Sequence, residues 1–236
     1  MSFGTERTTD YHLTEAIITS DRTITGIDIF KNVNAMKIFE HIEKPYLTMV
    51  LSFADEENVV QDMDFQGGEK ISITLIDAEE IESALEIKKQ FVIDRIIDVK
   101  KLEERRENVV VHCTEYHMFE SVTQNVNKSY TGSPTSIIQK IIDEHLSKKC
   151  LIDGEDSVKD MKVIIPNLNP IEAVNWLKKR STTKDGFPFY VYSPLGVSNI
   201  VVRDLGRMLE QTVQNLENPY VYAPSANLGT SNVKYY

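Results

Sequence analysis

The sequence is poor in cysteine and has no long apolar run. Two cysteines among 236 residues do not make a disulfide framework, and no CxxC motif is present. Cys113 stands in the strand-like run VVVHCTEY and is predicted to be a small buried hydrophobe. No apolar run approaches the ~20 residues of a membrane span, and the N-terminal residues lack the apolar core of a signal peptide. We therefore expect synthesis in a cytoplasm and no membrane anchoring.

Positive charge is also scarce, since 26 Lys and Arg stand against 36 Asp and Glu and give a net charge of −10. A protein that grips duplex nucleic acid needs a basic face to neutralise phosphates. Anionic membranes attract basic segments in the same way. The charge balance thus argues against both as binding partners.

Recognisable catalytic motifs are missing as well. The sequence contains no GxSxG, HExxH, GxGxxG or Walker pattern. Its five histidines are scattered, and the spacing of His112 and His117 does not place both rings on one face of a strand or helix. The turn at Gly67-Gly68 is not followed by the Lys-Ser/Thr of a phosphate loop. We predict no cofactor, no metal and no enzymatic activity.

What the first 130 residues do contain is β-structure. Alternating or β-branched runs predict strands from His12, over 24–30, around a bend at Pro45 within 36–55, and over 69–78. A hairpin is predicted from 90–102 and 108–116 across a charged tip. Residues 55–65 are predicted to form a polar loop with a short apolar insert. About six strands in a meander favour a small barrel or sandwich.

Two helices and an aromatic strand follow. Ser133 and Pro134 begin the first helix, whose apolar stripe includes Ile137 and Ile141. In the second helix Asn169 is the predicted N-cap and Pro170 the first helical residue, with Glu172 in capping-box position and Trp176 as a core anchor. The strand FPFYVY is predicted to pair with SNIVV (198–202). A short helix at DLGRMLEQTV and a last strand at 218–224 complete the prediction.

In order along the chain, SPTSIIQKIIDEHL, IPNLNPIEAVNWLKKRST and GFPFYVY resemble segments of the T4-type baseplate hub proteins of contractile phage tails, a tube-domain family. IDIFKNVNAMKIFEHIEKPYLTMVLSFAD and FQGGEKISI also resemble its N-terminal strands. The resemblance spans residues 12–192. It implies an α+β fold in which an antiparallel tail-tube-type β-barrel over 1–130 precedes a helix-containing α+β segment over 131–236. Relative to the family's second barrel, that segment is incomplete.

The resemblance further implies a structural role. Hub proteins of this family form a trimeric ring that joins the hexameric tail tube, or a tube-adaptor protein, to the central cell-puncturing spike. DNA passes through the ring without specific binding, so the expected location is the virion. An acidic channel wall would avoid holding the polyanion. We expect some of seven carboxylates to face that lumen, namely Asp28, Glu40, Glu43, Asp62, Asp64, Glu69 and Asp77.

Two other classes of function stay open from the residues alone. A tail-associated enzyme of the lysozyme or peptidase type would show a carboxylate pair at glycosidase spacing in an open cleft. A carbohydrate- or protein-binding β-module would use the aromatic strand, in which Phe187, Phe189, Tyr190 and Tyr192 could line a ligand site.

Overall fold

The N-terminal strands form one curled antiparallel sheet. The computed structural model describes residues 11–23, 25–56, 58–77, 86–103 and 106–212. The sheet has seven strands in the order β2-β1-β5-β6-β7-β4-β3 and makes a half-barrel. Its strands are β1 (Tyr11–Thr19), β2 (Ile27–Asp28), β3 (Val33–Phe39), β4 (Thr48–Asp55), β5 (Lys70–Asp77), β6 (Glu86–Glu103) and β7 (Arg106–Glu115). The α+β class predicted from the sequence is confirmed.

The strand order differs from the predicted meander. β1 pairs with β5, and β4 pairs with β7, so two of the ladders join segments more than fifty residues apart. The edge strands β2 and β3 are separated by only four residues, three of which form a 3₁₀ turn at Phe30–Asn32. The two edges therefore lie close at that end, although no ladder closes the barrel in the described part of the chain.

The half-barrel is filled by inward-facing aliphatic side chains. Alternate residues of paired strands are fully buried, for example Leu51 opposite Val111 and Met49 opposite Cys113. A short helix α1 (Val59–Asp62) lies within the loop predicted over 55–65, and this segment adds Val59 and Met63 to the first core. Its start is held by the buried Asp55 carboxylate, which accepts the Val59 N–H at 2.7 Å and the Val60 N–H at 3.1 Å.

A second core lies under the remaining elements. Two small sheets, β10-β8 and β11-β12-β9, surround helices α3 and α4. β9, which runs parallel to β12, and β10 are strands that the sequence patterns do not predict. The elements are α2 (Tyr116–Val122), β8 (Ser129–Gly132), α3 (Pro134–His145), β9 (Cys150–Asp153), β10 (Met161–Ile164), α4 (Pro170–Lys178), β11 (Phe189–Tyr192), β12 (Ile200–Asp204) and α5 (Leu205–Leu209).

The two main helices begin where their sequences indicate. The Ser133 hydroxyl accepts the Ser136 N–H, and the Asn169 side chain accepts the Glu172 N–H at 2.9 Å. Ile137 and Ile141 are fully buried, and Pro170 is buried at the first position of α4. Trp176 lies at the margin of the second core, with the Arg180 guanidinium 3.9 Å from its ring centroid.

The strand predicted at 218–224 lies outside the described residues. The division of the chain into two segments at residue 130 stays a prediction. Among the described helices, none has the length and apolarity needed to cross a membrane.

Candidate assembly surfaces and a buried charge cluster

Glu69, one of the seven carboxylates of which some are expected to face the lumen, lies in the turn before β5. Its side chain is buried and forms an ion pair with Arg22. It also accepts the Gln66 N–H at 2.9 Å and the Gly67 N–H at 3.1 Å. Both glycines of the Gly67-Gly68 turn have positive φ, which explains why glycine occupies these positions. Glu69 thus holds the turn before β5.

Glu40 and Glu43 lie in the turn between β3 and β4 and not on a strand, because β3 ends at Phe39. The Glu40 carboxylate accepts the Leu195 N–H at 3.0 Å, and the Lys178 ammonium donates to the Glu43 carbonyl at 3.4 Å. This turn therefore contacts segments that belong to the second core.

The remaining acidic candidates come from different elements of the fold. Asp28, Asp62 and Asp64 are exposed, and the side chain of Asp77 lies outside the described residues. Asp62 follows β4, whereas Glu43 precedes it. A strand of this length spans about 26 Å at ~3.3 Å per residue. That these carboxylates line a lumen stays a prediction.

The C-terminal half of β6 is an open sheet edge. The β5–β6 ladder ends at the pair Lys70–Val92, followed by a bond from the Ile93 N–H to the Glu69 carbonyl at 2.8 Å. From Asp94 to Glu103, β6 pairs only with β7 among the described strands, and three bulges interrupt that ladder. Ten residues of unpaired edge extend over about 33 Å. Such an edge can accept a further strand.

Exposed aliphatic side chains accompany this edge. Ile96, Ile97 and Val99 are 41%, 50% and 46% exposed. Beside them, a cleft between β6 and α2 is lined by apolar residues that include Phe119 and Val122. An edge flanked by apolar surface is a feature of strand-addition interfaces.

A second feature, which the sequence interpretation missed, is a buried charge cluster around Glu115. The Glu115 side chain is 2% exposed and forms an ion pair with Lys148, and its Oε1 lies 3.9 Å from the Lys89 Nζ. Its Oε2 accepts the Leu47 N–H at 2.9 Å and the Ser193 hydroxyl at 3.0 Å. The cluster lies where the half-barrel meets the second core.

Lys89 and His117 complete the cluster. The Lys89 ammonium donates to the carbonyls of Pro194 at 3.0 Å and Val197 at 2.7 Å. The buried His117 places Nε2 2.6 Å from the Pro45 carbonyl, which can only accept, so Nε2 carries the proton. Nδ1 of His117 is buried without a hydrogen-bond partner among the described residues and lies 3.9 Å from Glu115 Oε2.

Burial and charge shift the pKa values of these groups. Burial and the neighbouring Lys148 lower the pKa of Lys89 to about 8, although Glu115 acts to raise it. Burial also lowers the pKa of His117, which is uncharged near neutral pH as a result. For Glu115, burial acts to raise the pKa, but the charges of His117 and Lys148 outweigh it and the pKa lies below its usual value.

The described residues offer no group of three or more potential metal ligands. Both cysteines are buried, and burial raises the pKa of the Cys113 thiol well above its usual value. His112 binds Asp94 through Nδ1 at 2.8 Å on the outer face of the sheet. The His112–Asp94 contact stabilises the pairing of β6 with β7 and does not form a common site with the Glu115 cluster.

Comparison with known proteins gives solved structures only. No family model matches the sequence, and no curated protein matches it. The 43 kDa tail protein of prophage MuSo2 from Shewanella oneidensis has a TM-score of 0.48 at 12% identity, covering 80% of this chain and 53% of its own. The tail protein from Neisseria meningitidis MC58 has a TM-score of 0.46 at 8% identity, covering 81% and 50%.

A third similar structure is the E. coli c3393 protein, a component of the type VI secretion system with structural similarity to the T4 bacteriophage tail proteins gp27 and gp5. It has a TM-score of 0.44 at 9% identity, and the match covers 85% of this chain and 47% of that protein. The chain spans about half the length of these three proteins. Phage tail proteins and a type VI secretion component are thus the proteins to which the chain is similar.

Proposed function

We propose that the chain is a non-catalytic structural subunit of the baseplate hub of a contractile phage tail, made in the host cytoplasm and carried in the virion. In this proposal it forms a homotrimeric ring between the tail tube and the central spike, and DNA crosses the ring during ejection. The ordered sequence resemblance over residues 12–192 supports the family. The observation that carries an assembly role is the open edge of β6.

The open edge suits ring assembly for two reasons. Its backbone N–H and C=O groups from Asp94 onward have no partner strand on one side among the described residues. Three exposed aliphatic side chains stand along it, and their burial would favour association. When one such edge meets a different surface of the next copy, the interface is heterologous and can close into a ring.

The variant Ile97→Lys tests this role. Ile97 lies at a bulge and is half exposed, so a lysine there should leave the folded subunit intact while placing a charge in the interface. Sedimentation equilibrium and electron microscopy should show trimeric rings for the wild type and mostly monomers for the variant.

Ile164→Lys provides the matched control. Ile164 is 68% exposed on β10, away from the half-barrel sheet, and its substitution should leave the rings unchanged. A wild-type protein that stays monomeric at high concentration, or rings that survive in Ile97→Lys, would contradict the proposal.

A further inference from the structure

The Glu115 cluster borders a cavity with room for more than one water molecule. The cavity has a volume of about 130 Å³, whereas a water molecule takes up about 30 Å³ in the liquid. Most of its lining residues carry an ammonium or hydroxyl group. It is lined by Lys88, Lys89, Glu115, His117, Ser147, Lys148 and Ser198, among others.

We propose that this cavity is a binding site for a small oxyanion of the sulfate or phosphate type. The charges around the cavity do not balance. Lys89 and Lys148 both approach Oε1 of Glu115, so two ammonium groups share one buried carboxylate. Glu40 is the next carboxylate that acts on Lys89, and it is exposed. The cluster therefore holds one excess positive charge in a poorly solvated place, which an anion would neutralise.

The cavity also has hydrogen-bond donors that a ligand could use. Lys89 uses two of its N–H groups on the Pro194 and Val197 carbonyls, and its 3.9 Å distance to Glu115 is too long for a third bond. One N–H of Lys89 is thus available to a ligand among the described contacts. Ser147 and Ser198 on the wall bring hydroxyl groups that can also donate.

His117 borders the cavity, and its Nδ1 is buried without a hydrogen-bond partner among the described residues. An unsatisfied buried polar atom is costly, and a ligand would relieve that cost. With a protonated phosphate, Nδ1 can accept the ligand's O–H. With sulfate, Nδ1 must first take up a proton and then donate, so sulfate binding is linked to proton uptake.

The pH dependence follows from the groups that face His117, which are Glu115, Lys148 and Glu120. An anion in the cavity favours the imidazolium form, so sulfate should bind more tightly at pH 6 than at pH 8. Lys89, whose pKa is about 8, acts in the same direction because it loses charge over that interval.

Isothermal titration calorimetry of the full chain with sodium sulfate, at constant ionic strength in chloride, tests the proposal. We expect saturable binding with one site per chain, about tenfold tighter at pH 6 than at pH 8. Proton uptake should appear as a dependence of the measured heat on the ionisation enthalpy of the buffer.

Two variants should shift the affinity in opposite directions. Lys148→Gln removes a cation from the wall and should weaken sulfate binding at least about tenfold. Glu115→Gln keeps the shape of the side chain, adds one net positive charge to the site and should tighten binding by a similar factor. Lys184→Gln makes the same charge change as Lys148→Gln on an exposed residue outside the cavity and should leave the affinity unchanged.

The absence of saturable sulfate binding to the wild type at pH 6 would overturn the proposal. So would equal affinities for the wild type and Lys148→Gln, since the anion would then bind elsewhere. The proposal does not depend on ring assembly, because every group that lines the cavity comes from one chain.

Discussion

Glu115 joins three parts of the chain that are distant in sequence. Its carboxylate contacts the Leu47 N–H before β4, the Lys148 ammonium after α3 and the Ser193 hydroxyl after β11. The first of these contributes to the half-barrel core, and the other two follow elements of the second core. A buried carboxylate with this many partners connects the two cores by charge and hydrogen bonds.

We predict that Glu115→Ala destabilises the protein by about 3–5 kcal/mol, because it leaves the buried Lys89 and the partly buried Lys148 without their carboxylate. The loss is measured as the change in free energy of unfolding by urea. Glu144→Ala removes a carboxylate from the exposed pair with Lys128 and should cost less than about 1 kcal/mol. Similar losses in the two variants would show that Glu115 is not a central contact.

His117 should make stability depend on pH. Its pKa is lowered in the folded protein, so between the folded and unfolded pKa values the unfolded chain binds more protons. The contribution of neutral His117 to the free energy of unfolding is present above the unfolded pKa of about 6.5 and is lost as the pH falls. Glu115 adds to the loss only near and below its unfolded pKa of about 4.3.

The variant His117→Gln keeps a donor near the Pro45 carbonyl and does not titrate. We expect its free energy of unfolding to fall less steeply than that of the wild type between about pH 6.5 and 5, by up to ~1.4 kcal/mol per pH unit. Urea unfolding at several pH values measures both slopes. His41→Gln, on an exposed ring, should keep the wild-type slope, and parallel curves for the wild type and His117→Gln would refute the prediction.

Part of this cluster left a signal in the sequence. A charged residue lies on a strand face whose other residues are buried and apolar in two places, Ile87-Lys89-Phe91 and Val111-Cys113-Glu115. A charged residue on such a face indicates either the end of the strand or a buried partner of opposite charge. Lys148 and Ser193 could not be found in this way, because 33 and 78 residues separate them from Glu115.

Elements that depend on local sequence were predicted well, and pairings that depend on distant sequence were not. The structure forms α3 and α4 where the caps and apolar stripes indicate. α1 was missed because its cap is Asp55, outside the helix, and Asn58 at its start has a left-handed conformation. β9 was missed because a four-residue strand next to Gly154 carries little periodic signal.

The start of α4 is held by more than its own cap. Asn169 Oδ1 accepts the Ser121 hydroxyl at 3.1 Å as well as the Glu172 N–H, and Ser121 in turn accepts the Ile171 N–H at 3.0 Å. We predict that Asn169→Ala costs about 1–2 kcal/mol in the free energy of unfolding. Asn169→Asp keeps an acceptor for both bonds and should lose only a few tenths of the free energy that Asn169→Ala loses. Equal losses in the two variants would show that α4 requires the whole amide group of Asn169 and not only its oxygen.

The fold class of the half-barrel could be predicted from the sequence, but whether its sheet closes into a barrel could not. Alternation along the strands indicates which residues face inward, whereas the β1–β5 and β4–β7 ladders depend on contacts that no local pattern encodes. The open stretch of β6 arises because β6 has eighteen residues and β5 only eight. An assembly surface of this kind follows from a mismatch of strand lengths, which the sequence does not display as a motif.

Asp62 and Glu43 test the acidic-lumen prediction for the assembled ring. Both are exposed, and they lie at opposite ends of β4, so they sample two heights of any channel parallel to that strand. If the wall avoids holding DNA by repulsion, Asp62→Lys or Glu43→Lys should slow ejection while particles assemble in normal numbers. Higher salt should reduce the difference from the wild type, because ions screen the attraction between the introduced lysine and DNA.

Asp185→Lys is the control, since it makes the same charge change in an exposed turn beside the second core. If only one of Asp62→Lys and Glu43→Lys slows ejection, the end of β4 near that residue lies at the channel. If neither variant slows ejection, neither carboxylate lines the channel wall.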